Sequence, residues 1–130
     1  MSNSKVQIVM TADASGAELV TFAQQTADAL VMQNLTRSQI RSIFTEVRQI
    51  EAQWGKPDAV RRLSMLKPKL AYQAARANSV SLLRDVLGDA IDQVLASPAN
   101  DKAELDKRFA RFVDLFEAIL AYHRAKGGKN

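Results

Sequence analysis

Between Thr36 and Pro57 the apolar residues leave little choice but a helix. They recur at Ile40, Ile43, Phe44, Val47, Ile50 and Trp54, in the steps of three and four that turn one side of a helix toward a core. Thr36 stands at the N-cap position with Gln39 three residues on, the spacing of a capping box. Gly55 ends the stripe and Pro57 bars its continuation. A strand would instead bury alternate residues, and no alternation of useful length occurs anywhere in the chain.

The same period repeats on either side. A first helix is expected over about residues 17–32, with Leu19, Phe22, Ala23, Thr26 and Leu30 along one side. The helix described above is then the second. Asp58 can cap a third, which carries Val60, Leu63, Leu66, Leu70 and Ala74 on one side. Pro68 interrupts it by removing the amide that would reach Ser64, so a kink or break is expected near Lys67. The apolar period runs across the proline, which favours a kink or two nearly collinear pieces. A fourth helix begins near Asn78–Ser79 with Leu83, Val86, Leu87, Ala90, Ile91 and Val94. A turn follows at Ser97–Asn100. Asp101, with Glu104 three residues later, caps a fifth helix whose buried side is marked by Leu105, Phe109, Phe112, Phe116, Leu120 and His123. Gly127 and Gly128 stop it.

Residues 1–15 show no sustained apolar period and are expected to form a flexible N-terminal arm, with a short extended piece at Val6–Met10. The expected fold is all-α: a compact bundle of about five helices in a single domain over residues 16–126, with a disordered tail at 127–130.

The chain has 130 residues and no cysteine, which excludes disulfides, thiolate metal sites and a cysteine nucleophile. Its only histidine is His123, too few for the common histidine-rich zinc sites. The run Val6–Met10 is too short for a signal peptide, and no run approaches the length of a membrane span. A cytoplasmic protein without membrane contact is expected. Catalytic signatures are also missing. No glycine loop has the spacing that cradles phosphate, and no nucleophile elbow occurs. Asp85, Asp89 and Asp92 share one helix face and in principle suit Mg²⁺, but the more economical reading is a solvated face opposite the apolar stripe. His123 reads as a packed or capping residue suited to the negative end of its helix, and Trp54 as a core anchor. No catalytic residue, metal or cofactor is expected.

The cations carry more information. The net charge is +4, from 18 basic and 14 acidic residues, which alone says little about partners. Arg37, Arg41 and Arg48 fall within about 40° of each other on a helix of 3.6 residues per turn, flanking the apolar stripe on the side of Phe44. Arg62, Lys69 and Arg76 repeat every seven residues, with Arg61 and Lys67 close by. Long cationic side chains gathered on two helices, with an acidic row on another, suit a phosphate-binding surface. The same pattern is also what solvated helix faces with carboxylate partners would show, and spacing leaves both readings open. Tyr72 is the sole aromatic that could stack on a base, so backbone contact without base reading is the mode expected.

Three segments then act together: Leu35–Arg41 (LTRSQIR), Leu66–Arg76 (LKPKLAYQAAR) and Phe109–Arg124 (FARFVDLFEAILAYHR). In this order and spacing they resemble the small α-helical subunit of type III-A (Csm) CRISPR effector complexes, over roughly residues 17–125. Ala75 departs from the family pattern, which often has glycine there. The resemblance implies a non-catalytic subunit that stacks beside the backbone subunits and lines the groove where guide and target RNA pair. It implies partnership with the backbone and large Csm subunits and self-association by stacking or dimerisation. Arg41, Lys67, Lys69 and Arg76 are the RNA-contact candidates that it carries over. Arg37, Arg48, Arg61 and Arg62 rest on the stripe argument. The alternative reading is a helical protein-interaction module, a dimerising adaptor with no nucleic-acid binding.

Overall fold

The computed structural model describes residues 2–129; Met1 of the expected arm and Asn130 of the expected tail lie outside the described residues. The chain forms α1 (Ser2–Thr11), α2 (Ala17–Met32), α3 (Arg37–Ala52), α4 (Ala59–Arg76), a 3₁₀ turn (Asn78–Val80), α5 (Ser81–Leu95) and α6 (Lys102–Ala125). Among the described residues the fold is all-α, as the periodicity predicts, with one helix more than the five expected.

The last helix organises the rest. With 24 residues it is about 36 Å long, and it touches α1, α2, α3 and α5. A helix surrounded in this way must be apolar on more than one stripe, and α6 buries Phe109, Phe112, Val113, Leu115, Phe116 and Ile119. Phe44 of α3 meets Phe116 edge-on at 5.1 Å between ring centroids. Trp54 lies parallel to Phe109 at 3.7 Å and donates its indole N–H to Asp106 Oδ1 at 2.9 Å. Trp54 is thus an anchor between the end of α3 and the start of α6. α4 sits at the edge of the bundle, packed on α3 and α5.

The N-terminal segment differs from its sequence reading. Residues 2–11 are helical, and Val6, Val9 and Met10 are buried where α1 packs on α5. The guanidinium of Arg111 on α6 donates to the Met10 carbonyl at 3.0 Å, satisfying one of the acceptors that a helix end leaves open. No extended piece forms at Val6–Met10. The short apolar-leaning run suggested one, but Val6, Val9 and Met10 keep helical spacing and find their partner surface about eighty residues away.

Helix ends follow the local chemistry, with one exception. Thr36 Oγ1 accepts from the Gln39 amide at 3.1 Å and Gln39 Oε1 from the Thr36 amide at 2.9 Å, the reciprocal box the sequence predicts. Asp101 accepts from the Glu104 amide at 3.0 Å. At the start of α2 the carboxylate of Asp13 takes the amides of Glu18 and Leu19 at 3.1 and 2.8 Å, reaching past Gly16. Asp58, expected to cap α4, makes no such bond. Its backbone is already helical (φ −90°, ψ −3°), whereas a capping side chain needs the extended conformation to reach back. Pro68 does not break α4, which runs continuously from Ala59 to Arg76 with the proline on its exposed side.

The two ends of α2 and α6 meet. Asn34, at φ 65°, closes α2 with amide bonds from Asn34 to the Val31 carbonyl and from Leu35 to the Leu30 carbonyl, 3.0 and 3.1 Å. Gly127, at φ 85°, closes α6 in the same way: the amides of Gly127 and Gly128 reach the carbonyls of Arg124 and His123 at 3.2 and 2.9 Å. The buried His123 Nε2 then bonds the Leu35 carbonyl at 2.7 Å. Gly128 lies against the imidazole so closely that a Cβ there would overlap the ring. Residues 127–129, read from sequence as part of a disordered tail, instead fold back here. The Lys129 carbonyl accepts the Arg37 amide at 2.5 Å.

Candidate nucleic-acid interface

The stripe of Arg37, Arg41 and Arg48 lies on the flank of α3 that faces α6. Arg48 identifies that side: it pairs with Glu51 on its own helix at 2.8 Å and reaches Glu117 of α6 at 3.8 Å. Its guanidinium also lies 5.3 Å from the Phe44 ring centroid. Arg37 and Arg41 have no carboxylate within ion-pair distance among the described residues. With Ser38, Ser42 and Thr45 they line a shallow recess of about 360 Å³ that contains no acidic residue. The Nε of Arg37 is buried with no hydrogen-bond partner among the described residues.

On α4 the seven-residue repeat of Arg62, Lys69 and Arg76 holds as one face, with its first two members engaged. Both reach Glu46 of α3, Arg62 at 3.3 Å and Lys69 at 3.2 Å, and Arg62 also contacts Gln49 at 3.4 Å. Glu46 sits about 140° around α3 from Arg41, so the α4 row approaches the opposite flank of α3 from the arginine stripe. Among the described residues Arg76 has no carboxylate partner, and its guanidinium lies 5.7 Å from the Tyr72 ring centroid. Arg61 is exposed and unpaired among the described residues.

Lys67 does not join this face. It stands about 160° around α4 from Lys69 and pairs with Asp92 across the groove to α5. The structure therefore brings Arg37 and Arg41 together on one flank of α3, and Arg62, Lys69 and Arg76 together on the other side. It leaves Arg61 outward and sends Lys67 elsewhere.

The acidic row of α5 lines that last groove, a cleft of about 280 Å³ with Lys67, Arg84 and Gly88 among its walls. Asp92 is held by Lys67 and Asp85 by Arg84, the latter at 2.9 Å. Asp89 is half-buried; that burial, with Asp92 and Asp85 nearby, pushes its carboxyl above the ordinary value despite Lys67. Asp85 and Asp92 are exposed, as the solvated-face reading expects, while Asp89 between them is half-buried and the row as a whole forms a groove wall with cationic neighbours. Among the described residues no group of three or more His, Asp or Glu side chains is arranged to hold a metal. At the other end of the molecule the Trp54 indole N–H, then Lys102, hold Asp106 below the ordinary carboxylate value.

Sequence reasoning missed Glu46 and Glu117 as partners because each sits on a different helix from the cation it meets, and it missed Arg84 although that residue neighbours Asp85 on α5. It also missed the hydroxyl line Ser38, Ser42, Thr45, although steps of four and three mark one helix face.

The family model described as Csm2 Type III-A matches residues 13–129. The chain belongs to that family. It is accordingly a small subunit of the type III-A Csm effector complex, which works with other Csm subunits, and the family is a structural one. No curated protein and no solved structure matches the chain. As a Csm2 family member it carries the resemblance stated for its three motif segments across nearly its whole length. None of its described helices is long and apolar enough to cross a membrane.

Proposed function

We propose that this Csm2-family chain is a non-catalytic, cytoplasmic subunit that lies along the guide and target RNA. It contacts phosphates without reading sequence and stacks with further copies beside the backbone subunits. The observation that carries the proposal is that four of the eight candidate cations, Arg37, Arg41, Arg61 and Arg76, have no carboxylate partner among the described residues. Surface arginines with an available carboxylate usually take it, as Arg48 and Arg62 do. Arginine is also the side chain best matched to phosphate geometry. The acid-free recess of Arg37 and Arg41 with its three hydroxyls is a suitable seat for a phosphate oxygen.

Stacking draws support from charge. Asp85, Asp89 and Asp92 face two cations, Lys67 and Arg84, so their groove keeps a negative surplus that the free arginines of a neighbouring copy could meet. A contact between two different surfaces does not close on itself and produces an open filament.

Co-expression with the other Csm subunits, purification across a salt series and mass measurement of the complex test this reading. The expected result is a complex holding RNA and more than one copy of this chain. RNA binding by the free chain should be weak, with a log–log salt slope of about −0.7 per phosphate contacted. A protein-only adaptor would give complexes whose composition and assembly are indifferent to RNA, and salt-independent absorbance ratios typical of pure protein.

A further inference from the structure

On the outer side of α4, Tyr72 is 62 % exposed and Met65, two turns earlier on the same face, is 52 % exposed. Neither contributes to the core. The other tyrosine, Tyr122, packs against it. A single exposed tyrosine is ordinary in itself, so a function for Tyr72 needs a second observation.

Its surroundings supply one. Arg76 follows at the i+4 spacing that brings two side chains together on a helix, and its guanidinium covers one side of the Tyr72 ring at 5.7 Å. The rest of the exposed ring faces solvent. Lys69 lies on the same side of the helix, paired with Glu46, and Arg61, unpaired among the described residues, stands further back along it. An aromatic ring backed by an arginine and approached through cationic residues is the arrangement that binds single-stranded nucleic acid: cations track the backbone while a base stacks on the ring.

We propose that Tyr72 and Arg76 form a stacking platform for one unpaired RNA base, a proposal that rests on the RNA reading above. Only the π-face is used, so any base fits and no sequence is read. The strand would run along α4 with phosphates near Arg61 and Arg76 and one base turned onto the ring. The interface then reads two properties of the ligand, its charge and the presence of a base free to stack. A duplex with all its bases paired offers only the first.

Fluorescence anisotropy on the full chain tests this with two labelled strands of equal length, an oligoadenosine RNA and a strand of abasic sites. The wild-type chain should prefer the adenosine strand about tenfold. Tyr72→Ala should abolish that preference while leaving the salt slope unchanged, because no cation is removed. Tyr72→Phe should retain it. Circular dichroism keeps the comparison to folded variants, and the exposure of the side chain makes folding of both expected.

The platform is overturned if the wild-type chain binds both strands equally, or if the preference survives Tyr72→Ala; in either case RNA contact through phosphates stands. It is also overturned if Tyr72→Ala leaves RNA binding intact but excludes the chain from the assembled complex, which would make Tyr72 a protein contact. Failure of the wild-type chain to bind either strand at low salt sinks the RNA reading itself, and the platform with it.

Discussion

Arg41 and Arg62 come from neighbouring helices of similar amphipathic design, yet they occupy different chemical states. Arg62 reaches Glu46 and shares it with Lys69, fastening α4 to α3. Arg41 opens onto a recess of hydroxyls and one further arginine with no carboxylate in it. The eight candidate cations divide along this line. Arg48, Arg62, Lys67 and Lys69 are tied to carboxylates, and Arg37, Arg41, Arg61 and Arg76 are free among the described residues. Tied cations hold helices in register and contribute little field at a distance, since each is offset by its partner. Free cations add little to stability and are available to a ligand. The difference is set by where the nearest carboxylate falls across an interhelical groove.

The most severe test of this division replaces each set with alanine. Removing Arg37, Arg41, Arg61 and Arg76 should lower RNA affinity about a hundredfold at low salt. If each meets one phosphate, the salt slope should flatten by about 2.8 units at 0.7 per phosphate. Removing the tied set should cost several-fold less RNA affinity, since each lost cation also releases a carboxylate partner. Equal losses in titrations of the two variants would erase the distinction. A milder change moves residues from one class to the other. Glu46→Gln frees Arg62 and Lys69 together and should raise RNA affinity about threefold. Exposed pairs are worth less than about 1 kcal/mol, so thermal stability should fall only slightly. An unchanged affinity would show that the α4 row faces away from RNA.

The smallest effect concerns the groove that holds Lys67. The Asp89 carboxyl is raised above its ordinary value by burial, then by Asp92 and Asp85. The folded state therefore takes up a proton more readily than the unfolded chain between the ordinary aspartate value of 3.8 and the raised folded value. Stability gains as pH falls through that window and is lost as pH rises through it. Asp89→Asn should raise the thermal midpoint by roughly a degree or two at pH 7, and the difference should vanish below the window. A lower midpoint at pH 7 would mean that the ionised carboxylate is held by Lys67 more strongly than burial opposes it.

The helices α2 to α6 were legible because their signals are local. Thr36 and Gln39 announce a start, Gly55 and Pro57 a stop, and the apolar steps between them leave one face to bury. The α1 helix was not, because its three buried residues lie within a short apolar-leaning run and its partner surface is α5. The cap expected from Asp58 failed for a backbone reason that residue type does not reveal. The candidate site was legible as a set of residue types at helical spacing, and its division into tied and free was not. Glu46, Glu117 and Asp92 are each distant in sequence from the cations they meet. One part could have been read directly: Lys67 and Lys69 are two residues apart, and residues two apart on a helix do not share a face.

Trp54 is the only tryptophan in the chain. It lies flat on Phe109 and is hydrogen-bonded to Asp106, at the junction of α3 and α6. This makes it an optical gauge of that junction, built into the protein. Tyr72 and Arg76 lie toward the far end of α4 from the turn that follows Trp54, so a base stacking there leaves the indole untouched. Emission from Trp54 that changes during an RNA titration would therefore signal movement between helices, separating a shift in shape from simple occupancy without any added label.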